Sequence, residues 1–189
     1  MKKRLLALVA VLALVGVLVP AIVFAADEGT VECTVTAVLV SVSVSDGDVA
    51  YGTLALSGTR NTAEYHASNN PYGCVSPQTQ TITNTGTVAE DFNIKTSNAL
   101  GGTNWTVASS IGNLDEFTHA YNISATQYTG SVPITFTNWS AADTYVNDVA
   151  TSVPVADPVR YLELKIGMPA SATDYTEHTI TVTVQATQA

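Results

Sequence analysis

The side chains that most often carry out catalysis are scattered through this chain of 189 residues. Its histidines, His66, His119 and His178, lie far apart, and no Gly-x-Ser-x-Gly segment supplies the strained turn that a serine nucleophile needs. Glu116-Phe-Thr-His119 is a fragment of a zinc-protease motif without the second histidine that such a site requires. The sequence therefore predicts no catalytic residue, no metal site, no cofactor and no enzymatic activity.

Three short acidic segments hold neighbouring carboxylates. The oxygens of Asp46-Gly-Asp48 suit a calcium ion, which takes several carboxylate and carbonyl ligands. Asp-Gly is equally a signature of a hairpin turn, and both interpretations stay open. Glu90–Asp91 and Asp115–Glu116 are predicted to lie in loops, where acidic pairs are usually solvated.

The chain contains two cysteines, Cys33 and Cys74. In an exported protein an even pair most simply forms a disulfide. Closing a loop of about 40 residues within one chain would stabilise the fold by about 4 kcal/mol in the chain-entropy model. A bond between subunits is the alternative, because Cys33 lies on a segment that two molecules could exchange.

Two tryptophans and three glycosylation sequons are candidates for contact with sugars. Trp105 and Trp139 have either of two roles, as stacking platforms for sugar rings or as members of the core. Asn104, Asn122 and Asn138 each begin an Asn-x-Ser/Thr tripeptide, and they are candidate glycan acceptors in a host that glycosylates exported proteins.

Residues 1–25 are predicted to be a cleaved signal peptide. Lys2-Lys3-Arg4 forms the basic start, Leu5–Val19 forms the apolar centre, and Val23-Phe24-Ala25 offers a small-x-small cleavage site. Retention as a membrane anchor is the alternative, since the apolar centre is long for a signal peptide. The expected location is extracellular or at the cell surface, with no membrane contact after cleavage.

From residue 26 onwards four cations face 16 carboxylates, a formal charge of −12. Nucleic acid is an unsuitable partner for such a chain, because phosphate binding needs clustered lysine and arginine. Residues 26–189 are long enough to form one domain with a substantial core. Their abundance of threonine, valine, alanine and serine favours β structure.

Apolar and polar residues alternate over Val31–Val44, which predicts a strand with one buried face. The apolar parity changes within Ala37–Val40, which requires a bulge, a bend, or two strands that belong to different sheets. Further strands are predicted at 49–56, 78–83, 91–96, 105–109, 117–124, 133–139, 160–166 and 178–186. Residues 140–158 are predicted to form a loop, with room for a helical turn at 141–149. The expected fold is all-β: a two-sheet sandwich of jelly-roll type, with about eight to ten strands and little helix.

Three segments resemble the TasA/camelysin group of secreted biofilm-fibre proteins and the related archaeal bundling pili. The first is Tyr51-Gly-Thr-Leu-Ala-Leu-Ser57. The second is Gln80-Thr-Ile-Thr-Asn-Thr-Gly86, which runs on to Asp91-Phe-Asn-Ile-Lys95. The third is the terminal Thr179-Ile-Thr-Val-Thr-Val-Gln-Ala-Thr-Gln188. The cysteine pair and the low lysine content depart from the biofilm-fibre pattern.

The resemblance implies a jelly-roll subunit that polymerises by donating its N-terminal strand to the next subunit. The donor segment is then residues 26–35, with Thr30, Val31, Cys33 and Val35 as contact residues. Copies of the same chain are the implied partners, and matrix polysaccharide and other surface proteins are further candidates. The alternative function is a secreted carbohydrate-binding or adhesin module that uses its tryptophans.

Overall fold

The computed structural model describes residues 34–45, 47–63, 78–128 and 134–189. The predicted signal peptide, 1–25, lies outside these residues, as does all of the predicted donor segment except residues 34 and 35. The chain divides into two compact units, Met1–Thr36 and Ala37–Ala189. In the described part of the chain no helix has the length and apolarity needed to cross a bilayer.

Ten strands form the described part of the second unit. They are β1 (Val42–Val44), β2 (Thr59–Asn61), β3 (Gln80–Asn84), β4 (Glu90–Thr96), β5 (Thr106–Val107), β6 (Glu116–Ser124), β7 (Thr137–Asn138), β8 (Val146–Val153), β9 (Val159–Gly167) and β10 (Val182–Gln188). No α-helix occurs among the residues described.

The larger sheet has seven strands, in the order β1–β3–β9–β6–β5. β2 pairs with the end of β9, and β7 pairs with β6. All of these pairs are antiparallel except β5 with β6. Three strands form the smaller sheet, in the order β10–β4–β8, and both of its pairs are antiparallel.

Side chains from both sheets meet in one apolar core. Ile82 of β3, Phe117 of β6, Leu162 of β9, and Phe92 and Ile94 of β4 are all fully or almost fully buried. Burying a side chain of this size stabilises the fold by roughly 2 kcal/mol. The core therefore depends on alternate residues of the central strands, the pattern that a strand with one covered face produces.

A short turn, residues 85–89, carries the chain from the larger sheet to the smaller one. The buried side chain of Asn84 closes it: Nδ2 donates to the carbonyl oxygens of Val88 and Val153, each at 2.8 Å, and Oδ1 accepts from the N–H of Gly86 at 2.8 Å. This turn fixes the point at which the two sheets meet, and the N-terminal segment runs past it.

The predicted all-β sandwich is confirmed in its fold class, in its two sheets and in the ten strands of the described residues. The predicted strands at 78–83, 91–96, 117–124 and 160–166 correspond to β3, β4, β6 and β9.

Three of the expected elements differ from the structure. Residues 49–56 form no ladder, although Tyr51 and Leu54 pack against the core. Residues 146–153, expected within a loop, form β8. The structure describes residues 34–44 of the long strand predicted at 31–44, and within them only Val42–Val44 is a strand. For β8, pairing with the distant β4 overrides the local pattern.

Candidate assembly surface

Residues 39–45 run along the outer edge of β3. The N–H of Thr85 donates to the carbonyl oxygen of Ser41 at 2.8 Å, and the N–H of Thr87 donates to that of Leu39 at 2.9 Å. In an antiparallel pair alternate residues face the partner strand. The odd-numbered residues of this segment therefore bond to β3, and the backbone groups of the even-numbered ones point away from it.

Residues 35–44, which include most of this segment, expose apolar side chains to solvent. Val35 is 96% exposed, Val38 and Leu39 are each 54% exposed, and Val44 is 41% exposed. Val42 is the exception, because it packs against the core. Exposed valine and leucine close together in sequence form an apolar strip without a cover among the described residues, and such strips mark interaction sites.

A buried carboxylate holds the start of this segment. Glu90, at the first position of β4, is fully buried, and its Oε1 accepts the N–H of Ser41 at 2.6 Å. Its Oε2 is buried and has no hydrogen-bond partner among the described residues. Gly86 leaves the space for this contact, because a Cβ there would overlap both Glu90 Oε1 and the carbonyl oxygen of Leu39. The expectation that Glu90 lies solvated in a loop is wrong.

The outer strand of the smaller sheet, β10, leaves one edge free. The N–H of Ser97 donates to the carbonyl oxygen of Thr181, and that of Ala189 donates to the carbonyl oxygen of Ala89. These bonds fix the register in which odd-numbered residues of β10 bond to β4. The outward N–H and C=O groups belong to Val182, Val184, Ala186 and Gln188, and no strand of the described residues pairs with them.

The opposite edge of the smaller sheet, β8, is irregular. Asp148 and Ser152 have positive φ angles of 55° and 48°, and the register with β4 shifts along the strand. Side chains of β4 support both kinks: Asn93 Oδ1 accepts the N–H of Asp148 at 2.8 Å, and Asp91 Oδ1 accepts that of Ser152 at 2.7 Å. Bulges and a charge on an outer strand prevent further strands from pairing there.

β10 has none of these protections. Its sequence, Val-Thr-Val-Gln-Ala-Thr-Gln, contains no charge and no proline over seven residues. The larger sheet ends in shorter outer strands, β1 with three residues and β5 and β7 with two each. Within the described chain, β10 is therefore the long, regular and uncharged sheet edge, the type most open to a further strand.

A cluster of aromatic and hydroxyl side chains fills the core beside this surface. His119 is 1% exposed, with Nδ1 2.8 Å from Thr96 Oγ1 and Nε2 3.1 Å from the Tyr51 hydroxyl. Its ring centroid lies 4.9 Å from that of Trp139. Burial lowers the pKa of His119 to about 3, so the ring is neutral at pH 7. A neutral imidazole with both nitrogens in hydrogen-bond contact has a structural role here.

The two tryptophans belong to the core. Trp139 is 1% exposed and packs on Tyr121 as well as on His119. Trp105 is 5% exposed, and its ring stacks on that of His178 at a centroid distance of 3.8 Å. Of the two roles open from the sequence, the structure gives the core role, since neither indole presents a face to solvent for a sugar ring.

The three sequon asparagines differ in their contacts. Asn104 is exposed, next to the buried Trp105. Asn122 Nδ2 donates to the carbonyl oxygen of Thr135 at 3.0 Å, and Asn138 Nδ2 donates to that of Ser109 at 2.8 Å. Their glycosylation stays a prediction.

Several predicted site residues lie outside the described part of the chain: Thr30, Val31, Cys33, Cys74 and Asp46. The disulfide and the calcium alternative are therefore still predictions. Among the described residues no group of three or more histidine, cysteine or acidic side chains is placed to hold a metal ion. Val35 is the one predicted contact residue that the structure describes; it is exposed, and its contact role stays a prediction.

Asp174 fixes two loops at one end of the sandwich. Its carboxylate accepts the N–H of Thr103 and, at 3.2 Å, the N–H of Thr176, and these bonds lower the pKa of Asp174 to about 2. His178 Nε2 lies 2.8 Å from the carbonyl oxygen of Thr103 and completes the junction.

We expect Asp174→Asn to increase hydrogen exchange at the Thr103 amide about tenfold at pH 7, because that amide then donates to a neutral acceptor. A carboxyl group whose pKa is lowered by folding stabilises the junction at pH values above its unfolded pKa. That stabilisation is lost as the pH falls from about 4 towards 2. Wild-type exchange at Thr103 should rise over that range, after correction for the intrinsic rate. Asp157→Asn, at an exposed carboxylate, is the control, and equal exchange in the two variants would contradict the assignment.

Sequence reasoning missed Glu90 and the free edge of β10. Nothing in the sequence marks Glu90 as buried, since its burial depends on the fold of both sheets. The edge had a signal in the absence of charge and proline from Val182–Gln188. Comparison with protein-family models, with curated proteins and with solved structures finds no match to this chain.

Proposed function

We propose that this chain is a secreted, non-enzymatic structural subunit of an extracellular filament or surface layer, and that it polymerises by donating its N-terminal segment as a β-strand to another copy. The observation that carries the proposal is the apolar strip at residues 35–44, in which Val35 is 96% exposed. A strand that pairs with another molecule gains main-chain hydrogen bonds and buries alternate side chains in that molecule.

Two further observations support this function. The described residues offer an edge for a donated strand, β10, which is regular and uncharged. Donor and edge are different surfaces of one molecule, so a contact between them is head-to-tail and extends into a filament unless its rotation closes a ring. The net charge of −12 from residue 26 onwards keeps unassembled subunits soluble.

Negative-stain electron microscopy of the chain from residue 26 onwards tests the function. We expect fibres, and we expect Val35→Asp to lower the fibre yield at least about tenfold, because assembly would bury an unpaired carboxylate. The melting temperature should be unchanged, since Val35 is almost fully exposed.

Tyr175→Asp is the matched control, because Tyr175 is 77% exposed outside the apolar strip. It should leave the fibre yield unchanged. A chain that stays monomeric at high concentration, or equal fibre yields from the two variants, would refute the proposed function.

A further inference from the structure

We propose that the outward edge of β10 is the acceptor, and that residues 34–40 of a second copy pair with it as the fourth strand of the smaller sheet. This inference rests on the proposed function and names the surface on which it acts. The partner is a second copy of this chain, because each copy presents both an exposed apolar strip and a sheet edge with which no described strand pairs.

The backbone of β10 fits this role. Val182, Val184, Ala186 and Gln188 direct their N–H and C=O groups away from β4, which gives an added strand a ladder over the whole length of β10. Segment 34–40 has seven residues and β10 has seven, so the two match in length. Neither contains a proline or a charge that would break the ladder or repel the partner.

The side chains fit as well. Val182, Val184 and Ala186 of β10 pack on the core and are only half-buried. A strand on the free edge would place its own apolar side chains next to theirs, in line with the core. Threonine and glutamine occupy the other face of β10. Thr34 and Thr36 alternate with Val35 and Ala37 in the added strand, so over these four residues it would continue the existing division between an apolar and a polar face.

The position of β1 gives an independent reason for an added strand. β1 and β10 are outer strands of the two sheets and lie next to each other. Val42 of β1 packs on the core, and Val44, on the same face of the extended chain, is 41% exposed. A fourth strand beyond β10 would lie against this face of β1 and cover it.

Photo-cross-linking in the assembled state tests the acceptor. Val35 of the chain from residue 26 onwards is replaced by p-benzoyl-phenylalanine, and this chain is mixed with the ¹⁵N-labelled chain that lacks the probe. Trypsin cleaves after lysine and arginine, which occur here at 60, 95, 160 and 165. Cleavage therefore releases β1, β8 and β10 on three different peptides, 26–60, 96–160 and 166–189. We expect the probe to link to the ¹⁵N-labelled peptide 166–189, within residues 180–188.

The other results separate the two proposals. Fibres with the ¹⁵N-labelled cross-link in any peptide other than 166–189, or with no cross-link of any kind, would overturn the β10 acceptor while the filament function stands. No fibres and no ¹⁵N-labelled cross-link would overturn both. A cross-link confined to the probe's own chain would show that the segment stays in its own fold, which also overturns both.

A proline at an outward N–H supplies a second test. Ala186→Pro removes a donor that β4 does not use, so we expect fibre yield to fall at least about tenfold with the monomer still folded. Ala170→Pro, at an exposed position beyond β9, should leave the yield unchanged. Gln188→Pro, at the end of β10, replaces Ala186→Pro if that variant lowers the melting temperature by more than about 5 °C. Wild-type yield from a folded β10 variant would overturn the acceptor.

Discussion

Lowering the pH from 7 to 4 should reduce the free energy of unfolding by about 3 kcal/mol through His119 alone. Burial lowers the pKa of this histidine to about 3 in the folded protein, against about 6.5 when the chain is unfolded. Between pH 6.5 and pH 3 the imidazole of His119 is therefore protonated in the unfolded chain and neutral in the folded protein. The contribution to stability is complete above pH 6.5 and is lost as the pH falls from 6.5 towards 3.

The surroundings of His119 explain why its proton affinity is so low. The groups at its two nitrogens are the hydroxyls of Thr96 and Tyr51, which are neutral, and Trp139 and Phe117 pack around the ring. Burial and the nearby Glu163 raise the pKa of Tyr51, so that hydroxyl keeps its proton throughout this range. Neither hydroxyl supplies the negative charge that a buried imidazolium would need.

Urea unfolding of the wild type and of His119→Gln, measured between pH 7 and pH 4, tests this prediction. Glutamine can still donate and accept hydrogen bonds, but it does not titrate. Both proteins contain the same carboxylates, so the contribution of these groups to the pH dependence cancels in the difference between the two unfolding free energies. That difference should shrink by about 3 kcal/mol over the range. Parallel stability curves for the two proteins would contradict a buried neutral His119.

The central strands of the sandwich could be predicted from the sequence because their periodicity has one physical cause. β3, β4, β6 and β9 each have a neighbouring strand on both sides, and one face of each packs on the core. Alternate positions must then be apolar or tightly hydrogen-bonded. The buried Asn84 of β3 keeps the period although it is polar, because its amide completes the turn between the sheets.

β8 could not be predicted in the same way. Its sequence, Val-Asn-Asp-Val-Ala-Thr-Ser-Val, has lost strict alternation, because positive φ angles at Asp148 and Ser152 kink the strand. Asn93 and Asp91, more than 50 residues away in sequence, accept the N–H groups at those kinks. A pattern that depends on such distant partners is not visible in a local window, and the segment therefore resembled a loop.

The candidate assembly surface also has one part that the sequence could predict and one part that it could not. The alternation of apolar residues after the predicted leader directed attention to the N-terminal segment, in which the structure shows Val35 exposed. The surface that could receive such a strand depends on which strand ends the smaller sheet. That choice follows from the pairing of β10 with β4 and β8 with β4, which the sequence does not specify.

Gly86→Ala should destabilise the protein by about 1 to 3 kcal/mol, the typical range for overpacking at a buried site. The added Cβ would overlap the carboxylate oxygen of Glu90 and the carbonyl oxygen of Leu39. Glu90 is fully buried, and Leu39 is bonded through its main chain to Thr87. The simplest relief is for residues 39–41 to leave β3, which costs their hydrogen bonds.

Gly112→Ala is the matched control, because no atom lies within 4 Å of the Cβ it would add. Neither glycine has a positive φ, so the two substitutions differ in their surroundings and not in backbone strain. Gly112→Ala should change the free energy of unfolding by less than about 0.5 kcal/mol in urea titrations. Equal effects from the two substitutions would show that the space beside Glu90 is not restrictive.

Hydrogen exchange distinguishes this release from a general loss of stability. In Gly86→Ala the amides of Leu39, Ser41 and Thr87 should lose protection first, while Phe92 and Ile94 in the core stay protected until global unfolding. Uniform loss of protection across the sandwich would contradict a local role for the Glu90 contact. Selective loss would identify this contact as the point at which the N-terminal segment separates from its own fold. Assembly requires the residues before this point to be free, so the contact would mark the end of the donated segment.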